Sequence, residues 1–359
     1  MRFGIVGSGW RVRALIRAAR GTGGTVDVAA LAARTPAHAA ALAAEFKLPV
    51  YPTLAAMVAA EAPDFVLTSV PWDVNPGMIR EAVAMGLPVL SETPPATSVD
   101  ELRALWALVE QGARIQVSEQ YFLQPHHAAR LAFVQSGKLG RVSQVQVSIA
   151  HGYHGISLMR RFLGITTELP RVSAYGFNSP LVEGPGTDGP PAAEKIITSE
   201  QLIRRYDFGD RLGVMDFTDD QYFSWVRGQR LLVRGERGEL IDDQASYLED
   251  FQTPIHVTFA RRHAGHNGNL EGNYLKGITA GEQWWYRNPT APAELSDDEV
   301  AIASLLMRMA DYVNGGPNAY SLAEACQDRY FDILCDQALR EERTVQAEAQ
   351  PWTAALARA

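Results

Sequence analysis

Lysine is scarce in this chain. Only Lys47, Lys138, Lys195 and Lys276 occur in 359 residues, and arginine supplies most of the 33 cationic side chains. Against 41 Asp and Glu the formal net charge is -8, which leaves no basic footprint for nucleic acid. Cysteine is scarcer still. Cys326 and Cys335 lie nine apart in one helical stretch and so point in different directions. Two reduced, buried thiols are expected, not a disulfide or a metal centre. No apolar run is long enough to span a bilayer, so no membrane partner is expected. No signal-like segment precedes the first apolar run, and a cytoplasmic address is the expectation.

What is present begins at once. Phe3, Ile5 and Val6 form an apolar run of strand length, Gly7-Ser8-Gly9 breaks it, and Val12, Leu15, Ile16 and Ala19 then recur at helical spacing. Strand, glycine turn and helix in this order are the context of a dinucleotide fingerprint. Gly7 permits the tight turn, Gly9 lets the backbone approach a pyrophosphate, and the N–H groups of the helix start at Trp10 and Arg11 hold its charge. The third fingerprint position is Val12, where Gly or Ala is usual.

Strands alternate with helices through the first 120 residues. Val26–Leu31 leads to Ala33-Arg34-Thr35-Pro36, with Thr35 placed to cap a helix over Pro36–Phe46. Val50-Tyr51 and a helix over Thr53–Ala60 precede the strand Phe65–Val70. After Pro71 a helix runs through Met78–Met85, then come Pro88–Leu90, a helix from Ser98 to Gln111, and Ile115–Val117. This alternation predicts a Rossmann-type, doubly wound parallel sheet whose ligands sit at the carboxyl ends of its strands. Those ends carry Gly7-Ser8-Gly9, Ala33-Arg34, Ser69-Val70-Pro71, Glu92-Thr93-Pro94 and Glu119-Gln120-Tyr121. An NAD enzyme usually keeps an acidic residue at the second strand end for the ribose 2′-hydroxyl. Arg34 stands there instead, and a guanidinium binds a 2′-phosphate bidentately. NADP is therefore favoured over NAD, although Arg34 stacking on adenine would serve either.

From Gly140 the character changes. Val142–Ile149 alternates polar and apolar residues, a helix is expected over Gly155–Leu163, and strands are expected at Val172–Tyr175, Gln201–Phe208, Arg211–Phe217, Arg230–Arg234 and Gly238–Ile241. Tight turns at Gly209-Asp210 and Gly235-Glu236-Arg237 make this a C-terminal α+β domain with a large, mostly antiparallel open sheet. The Gly- and Pro-rich Ser179–Ala193 reads as a loop or lid, and His263–Asn273 as a polar loop. Domains are drawn at 1–120 for dinucleotide binding, 121–346 for substrate binding and oligomerisation, and 347–359 for a loosely packed tail. His126-His127 are expected to cap a helix or face solvent. Trp225, Trp284, Trp285 and Tyr286 read as packing, or as a platform for a sugar ring. Asp216, Asp219, Asp220 and Gln221 read as hydroxyl ligands or as a solvated turn.

At Ser91-Glu92-Thr93-Pro94 the chain resembles the Gfo/Idh/MocA oxidoreductases. That family has Glu-Lys-Pro here, so Glu92 and Pro94 match and Thr93 replaces the lysine. Pro71 matches the family's Pro-x-x-x-His, with Asn75 for the histidine, and Gln120 falls where the family usually has Asn. The pattern Asp-x-Gly-x-His, with a later Asp and Gly, maps onto Ala150, Gly152, His154, Ser157 and Gly164. Gly152, His154 and Gly164 agree, and both carboxylates are absent. The helix Leu322–Arg340 and the exit Thr344-Val345 fit as well. The resemblance implies an NAD(P)-dependent oxidoreductase acting on a secondary alcohol of a sugar, cyclitol or related polyol, assembled as a homodimer or homotetramer through its C-terminal sheet. His154 would move the proton, with Thr93, His151, Tyr153 and Tyr121 orienting the hydroxyl. Gly7, Ser8, Gly9, Trp10, Arg11, Arg34, Thr35, Ser69, Val70, Pro71, Asn75, Glu92, Thr93, Pro94 and Gln120 would hold the cofactor. Two other outcomes remain open at this point: a cofactor-retaining lyase or glycoside-cleaving enzyme working through a transient keto-sugar, and a non-catalytic dinucleotide-binding sensor.

Overall fold

The computed structural model describes residues 1–357 apart from 187, 188 and 270. Parts of the expected loops at 179–193 and 263–273, and the last two tail residues, lie outside the described residues. Six parallel strands come first: β1 (Arg2–Val6), β2 (Asp27–Ala32), β3 (Val50–Tyr51), β4 (Phe65–Thr68), β5 (Val89–Ser91) and β6 (Ile115–Val117), in the order β3-β2-β1-β4-β5-β6. The helices α1 (Trp10–Arg20), α2 (Pro36–Phe46), α3 (Leu54–Glu61), α4 (Asn75–Ala84) and α5 (Val99–Glu110) connect them. β1, β4, β5 and β6 are buried almost throughout, as strands covered on both faces must be. The order reverses between β1 and β4, and a crevice opens there beyond the carboxyl ends. Two of the helices start on a side-chain cap. Thr53 accepts from Ala56 N at the start of α3, and Ser98 accepts from Glu101 N at the start of α5. Thr35 precedes α2 as expected, but its side chain makes no cap bond.

The second sheet has eleven strands. After α6 (Pro125–Gln135) come β7 (Val142–Ser148), α7 (Gly152–Leu163), β8 (Arg171–Val182), β9 (Ile196–Asp207), β10 (Leu212–Met215), β11 (Arg230–Gly235), β12 (Gly238–Ile241), β13 (Gln244–Leu248), β14 (Pro254–Ala264), β15 (Tyr274–Ala280) and β16 (Gln283–Arg287). The chain closes with α8 (Asp297–Val313), α9 (Leu322–Glu341), β17 (Val345–Gln346) and α10 (Thr353–Leu356). The order is β16-β15-β14-β13-β12-β11-β7-β10-β9-β8-β17, and only β7 with β10 pairs in parallel. This is the mostly antiparallel open sheet that the alternating pattern implied. α7 and α9 pack against each other, α7 against β7 and α9 against β8, so the core lies between these helices and the sheet.

Three expectations are corrected, and the packing reading of the aromatic stretch at 284–286 is kept. The strands expected at 172–175 and 201–208 are two twelve-residue partners, paired from Arg171↔Asp207 to Val182↔Ile196. The stretch that reads as a loop from Ser179 onward therefore begins as strand. β8 is free on its other side beyond the short β17 pairing, and Pro180 is tolerated because an edge strand need not donate outward. The tail is not loose. Trp352 is fully buried against α9 and donates from Nε1 to Gln327 Oε1 at 2.8 Å. His127 does not face solvent either. It is fully buried, and burial together with His126 beside it pushes its ring far below the usual histidine range. Trp284, Trp285 and Tyr286 form β16, where Trp285 packs edge-on against Phe133 at 5.0 Å, away from the crevice.

Candidate active site

The two sheets enclose a cavity of about 1170 Å³ at the carboxyl ends of the parallel strands. It is lined by Gly7, Ser8, Gly9, Trp10, Arg11, Arg34, Thr35, Ser69, Val70, Pro71, Asn75, Glu92, Thr93 and Gln120 from the first domain, and by His151, Tyr153 and His154 from the second. Of the residues expected to hold the cofactor or act in catalysis, only Pro94 stands behind the wall, beside a small void that it shares with Thr93, Glu119 and Asp328.

The glycine turn is sterically committed. Gly7 sits at φ +142°, and a Cβ there would lie 2.0 Å from the Ser69 carbonyl oxygen, so no other residue fits. A Cβ on Gly9 would meet nothing, which leaves open space over the turn. The N-cap of α1 is Gly9, and no side chain caps the helix. Its first N–H groups are therefore available to a phosphate, and with the helix dipole they form a built anion site. These features fit a dinucleotide pyrophosphate. At the end of β2 the lining residues are Ala32, Ala33, Arg34 and Thr35. Arg34 is exposed, and among the described residues it makes no ion pair. His38 joins this wall, its Nδ1 3.5 Å from Ser8 Oγ.

Two of the expected cofactor ligands are otherwise engaged. Arg11 donates to Glu92 Oε1 at 3.1 Å and to Asp298 Oδ2 at 2.7 Å. Burial opposes its charge, and the two carboxylates outweigh that and hold it firmly protonated. Its guanidinium thus ties the first domain to α8 and is not available as a phosphate clamp. Asn75 is 1% exposed. Its side chain accepts from Thr68 Oγ1 at 2.7 Å and donates to Ser91 Oγ at 2.9 Å and to the carbonyls of Glu92 and Pro94. It fixes the turn that carries Thr93, and only its edge faces the cavity.

His154 lies in α7 with its ring beside Tyr121, whose centroid is 4.6 Å away. Its Nδ1 is 2.6 Å from Glu119 Oε2. Glu119 is 2% exposed and His154 7%, so this is a buried carboxylate–imidazole pair. A carboxylate only accepts, so Nδ1 carries a proton, and in the neutral ring Nε2 keeps its lone pair. Glu119 follows β6 and also accepts from Tyr121 N at 3.0 Å. In the sequence it stands out only as a strand-end residue. Its partner is 35 residues away, and no local pattern joins them.

His151 precedes α7 as its N-cap residue. Its backbone N–H donates to Tyr222 Oη at 3.1 Å, and its Nδ1 lies 2.7 Å from the same oxygen. The Nδ1–Oη hydrogen bond ties the ring to the phenol. Burial and the neighbouring His154 lower the ring's pKa to about 4. Because the folded value is depressed, the protonated ring favours the unfolded chain. Stability from this group is intact above about pH 6.5 and is lost as pH falls toward 4, by up to ~3 kcal/mol. The melting temperature of the wild type is expected to fall more steeply between pH 6.5 and 4 than that of His151→Gln. Parallel slopes would remove the assignment.

Tyr121, Tyr153 and Tyr222 complete the wall near His154. Burial raises all three phenols, so they remain O–H donors. Nothing in the local sequence marks Tyr222 for this position. Of the acidic cluster before it, Asp216 pairs with Arg230 at 2.7 Å, Asp220 with Arg227 and Ser199, and Gln221 bonds Ser148 and the Gly228 carbonyl. These side chains hold the wall and do not line it, and Trp225 is exposed elsewhere. Ser157, where the resembled family has a carboxylate, bonds Tyr320 Oη at 2.8 Å. Tyr320 in turn meets Asp328, which pairs with Arg160 at 2.5 Å in a buried network behind the void.

Residues 1–121 match the model of an oxidoreductase family with an NAD-binding Rossmann fold. A stretch of 148 residues is 32% identical to a D-xylose 1-dehydrogenase (NADP(+)) of Haloferax volcanii, covering 40% of this chain and 45% of that protein. The chain thus aligns with less than half the length of this curated relative. Among solved structures, levoglucosan dehydrogenase with NADH and levoglucosan superposes with a TM-score of 0.72 at 16% identity, over 97% of this chain and 100% of the other. An oxidoreductase from Agrobacterium radiobacter with NAD+, L-tartaric acid and magnesium gives 0.69 at 15% identity, over 96% and 98%. At these identities the superpositions establish a shared fold. Among the described residues no helix is long and apolar enough to cross a membrane.

Proposed function

On the premise that this chain is a Gfo/Idh/MocA-type oxidoreductase, with residues 1–121 as its NAD-binding module, we propose that it oxidises or reduces a secondary alcohol of a sugar, cyclitol or related polyol, with NADP as the preferred cofactor. The observation that carries this reading is the His154–Glu119 pair, which opens onto the same cavity as the uncapped glycine turn of α1. The nicotinamide supplies hydride transfer when bound. The chain's own residues do the rest. Gly7, Gly9 and the start of α1 hold the pyrophosphate, and Arg34 reaches the adenosine 2′-phosphate. His154 Nε2 accepts the hydroxyl proton while Glu119 stabilises the imidazolium that forms. The phenols of Tyr121 and Tyr153 orient the hydroxyl, and Thr93 supports Tyr153 as a neutral group where the resembled family keeps a charged one.

The test is a titration of cofactor-stripped protein with NADPH and NADH, followed by a polyol panel monitored at 340 nm. Trp10 and Trp72 line the cavity, so their fluorescence reports binding. Tight binding with net absorbance change supports the proposal. Turnover without net change favours the cofactor-retaining lyase. Binding with no turnover, unaffected by His154→Ala, favours the sensor.

The assembly proposed is a homodimer or homotetramer through the C-terminal sheet. Tyr175 opposes Ile203 across β8 and β9, Phe177 lies two places on and so on the same face of β8, and all three side chains are exposed. Such a patch is commonly covered in solution. Light scattering is expected to give a dimer or larger for the wild type and a monomer for Phe177→Glu/Ile203→Glu. A monomeric wild type would refute it.

A further inference from the structure

The wall around His154 is rich in hydrogen-bonding groups and poor in charge. Thr93, Gln120, Tyr121, Gln124, Tyr222 and Gln229 supply neutral hydroxyls and amides. Charged side chains of the cavity wall include Arg11, Glu92 and Asp298, in which one guanidinium is shared by two carboxylates. Glu119 adds a further negative group beneath the imidazole. None of the four lysines lines the cavity, and among its described lining residues the one arginine without an acidic partner is Arg34. Arg34 follows β2 and Glu119 follows β6. These strands are four places apart in the sheet order, so the two residues are separated by roughly 19 Å at the usual strand spacing. Arg34 therefore cannot reach a group reacting at His154.

We infer that the site selects a neutral polyol and rejects carboxylate-bearing sugars, because its substrate end combines neutral donors with an excess of negative charge and no available cation. This rests on the polyol-oxidoreductase reading. A uronate would have to leave water without gaining a cationic partner, and it would face like charge from Glu92, Asp298 and Glu119. A neutral ring loses less on entering, and the amides and phenols replace its water hydrogen bonds. Neutral donors also explain why Thr93 can stand where a lysine would otherwise hold charge: the wall's selectivity comes from hydroxyl-matched hydrogen bonds.

The experiment measures kcat/KM of the cofactor-saturated wild type for D-xylose, myo-inositol, D-glucuronate, D-galacturonate and D-glucosamine, with equilibrium binding of each to the cofactor complex. Gln229→Arg, an exposed wall position, is measured alongside. A neutral sugar or cyclitol is expected to be used at least ~100-fold more efficiently than either uronate, and Gln229→Arg is expected to narrow that ratio about tenfold. A uronate used as well as the neutral compounds would overturn the inference and leave the polyol reading standing. Cofactor binding with neither binding nor turnover of any of the five would overturn both.

Discussion

Glu119→Gln is expected to lower kcat by ~10²–10³-fold while changing NADPH affinity by no more than about twofold. The reason is the tautomer. Glu119 accepts the Nδ1 proton of His154 at 2.6 Å, and this leaves Nε2 free to take a proton from the substrate hydroxyl. A glutamine at 119 can donate its amide to Nδ1 instead. The ring proton then moves to Nε2, where it blocks proton acceptance. The substitution also removes the negative charge that stabilises the imidazolium in the transition state, so the acid limb of the kcat profile is expected to move to lower pH. Glu119 is a positioning residue, and the profile separates that role from a merely structural one. Glu119→Asp, which keeps the acceptor at shorter reach, is expected to recover part of the rate. Both groups are buried, so breaking the pair also costs stability. The melting temperature therefore has to be recorded to show that the variant is folded at the assay temperature. A folded Glu119→Gln enzyme with wild-type kcat and an unmoved profile would remove the pair from the mechanism.

The contrast between Gly7 and Glu119 shows what a single sequence discloses. Gly7, Gly9, Arg34, Ser69 and Thr93 are visible because each sits at a strand end, and strand ends follow from local periodicity and turn chemistry. The parallel sheet and all of its connecting helices are legible for the same reason. Asp298 reaches the cavity from α8, 287 residues after its partner Arg11, and nothing local marks it. Arg11 therefore looks like a cofactor ligand in the sequence, although its charge is spent on a contact between domains. Asn75 misleads in the same way, since a polar residue after a strand looks like a ligand until the carbonyls of Glu92 and Pro94 are seen to claim it. In the second sheet, the first half of β14 does alternate, with Ile255, Val257 and Phe259 less exposed than Pro254, His256 and Thr258, but its second half, Arg261-Arg262-His263, is exposed and polar and breaks the pattern. Trp352 lies in a stretch whose composition resembles a tail, and its burial depends on Gln327 in a helix two dozen residues earlier.

Arg34→Asp is expected to weaken NADPH by ~10²-fold and to leave NADH unchanged or tighter. The guanidinium lines the cavity at the end of β2 with no acidic partner among the described residues, so its charge is free for a ligand. A charge-assisted bond to a 2′-phosphate is worth about 1.5–3 kcal/mol, or roughly 10- to 150-fold in affinity. The aspartate adds repulsion of the phosphate to that loss. With NADH the same carboxylate can accept from the ribose 2′-hydroxyl, which is the usual arrangement in NAD enzymes. The 2′-phosphate term is electrostatic and this mouth of the cavity is exposed, so the wild-type preference should shrink as salt is raised from about 0.05 to 0.5 M, while the variant's discrimination against NADPH should ease as the same salt screens the repulsion. Parallel fluorescence titrations of wild type and variant with both nucleotides make the comparison. Equal weakening of NADPH and NADH would mean that Arg34 stacks on adenine, and the NADP preference would then have no residue to carry it.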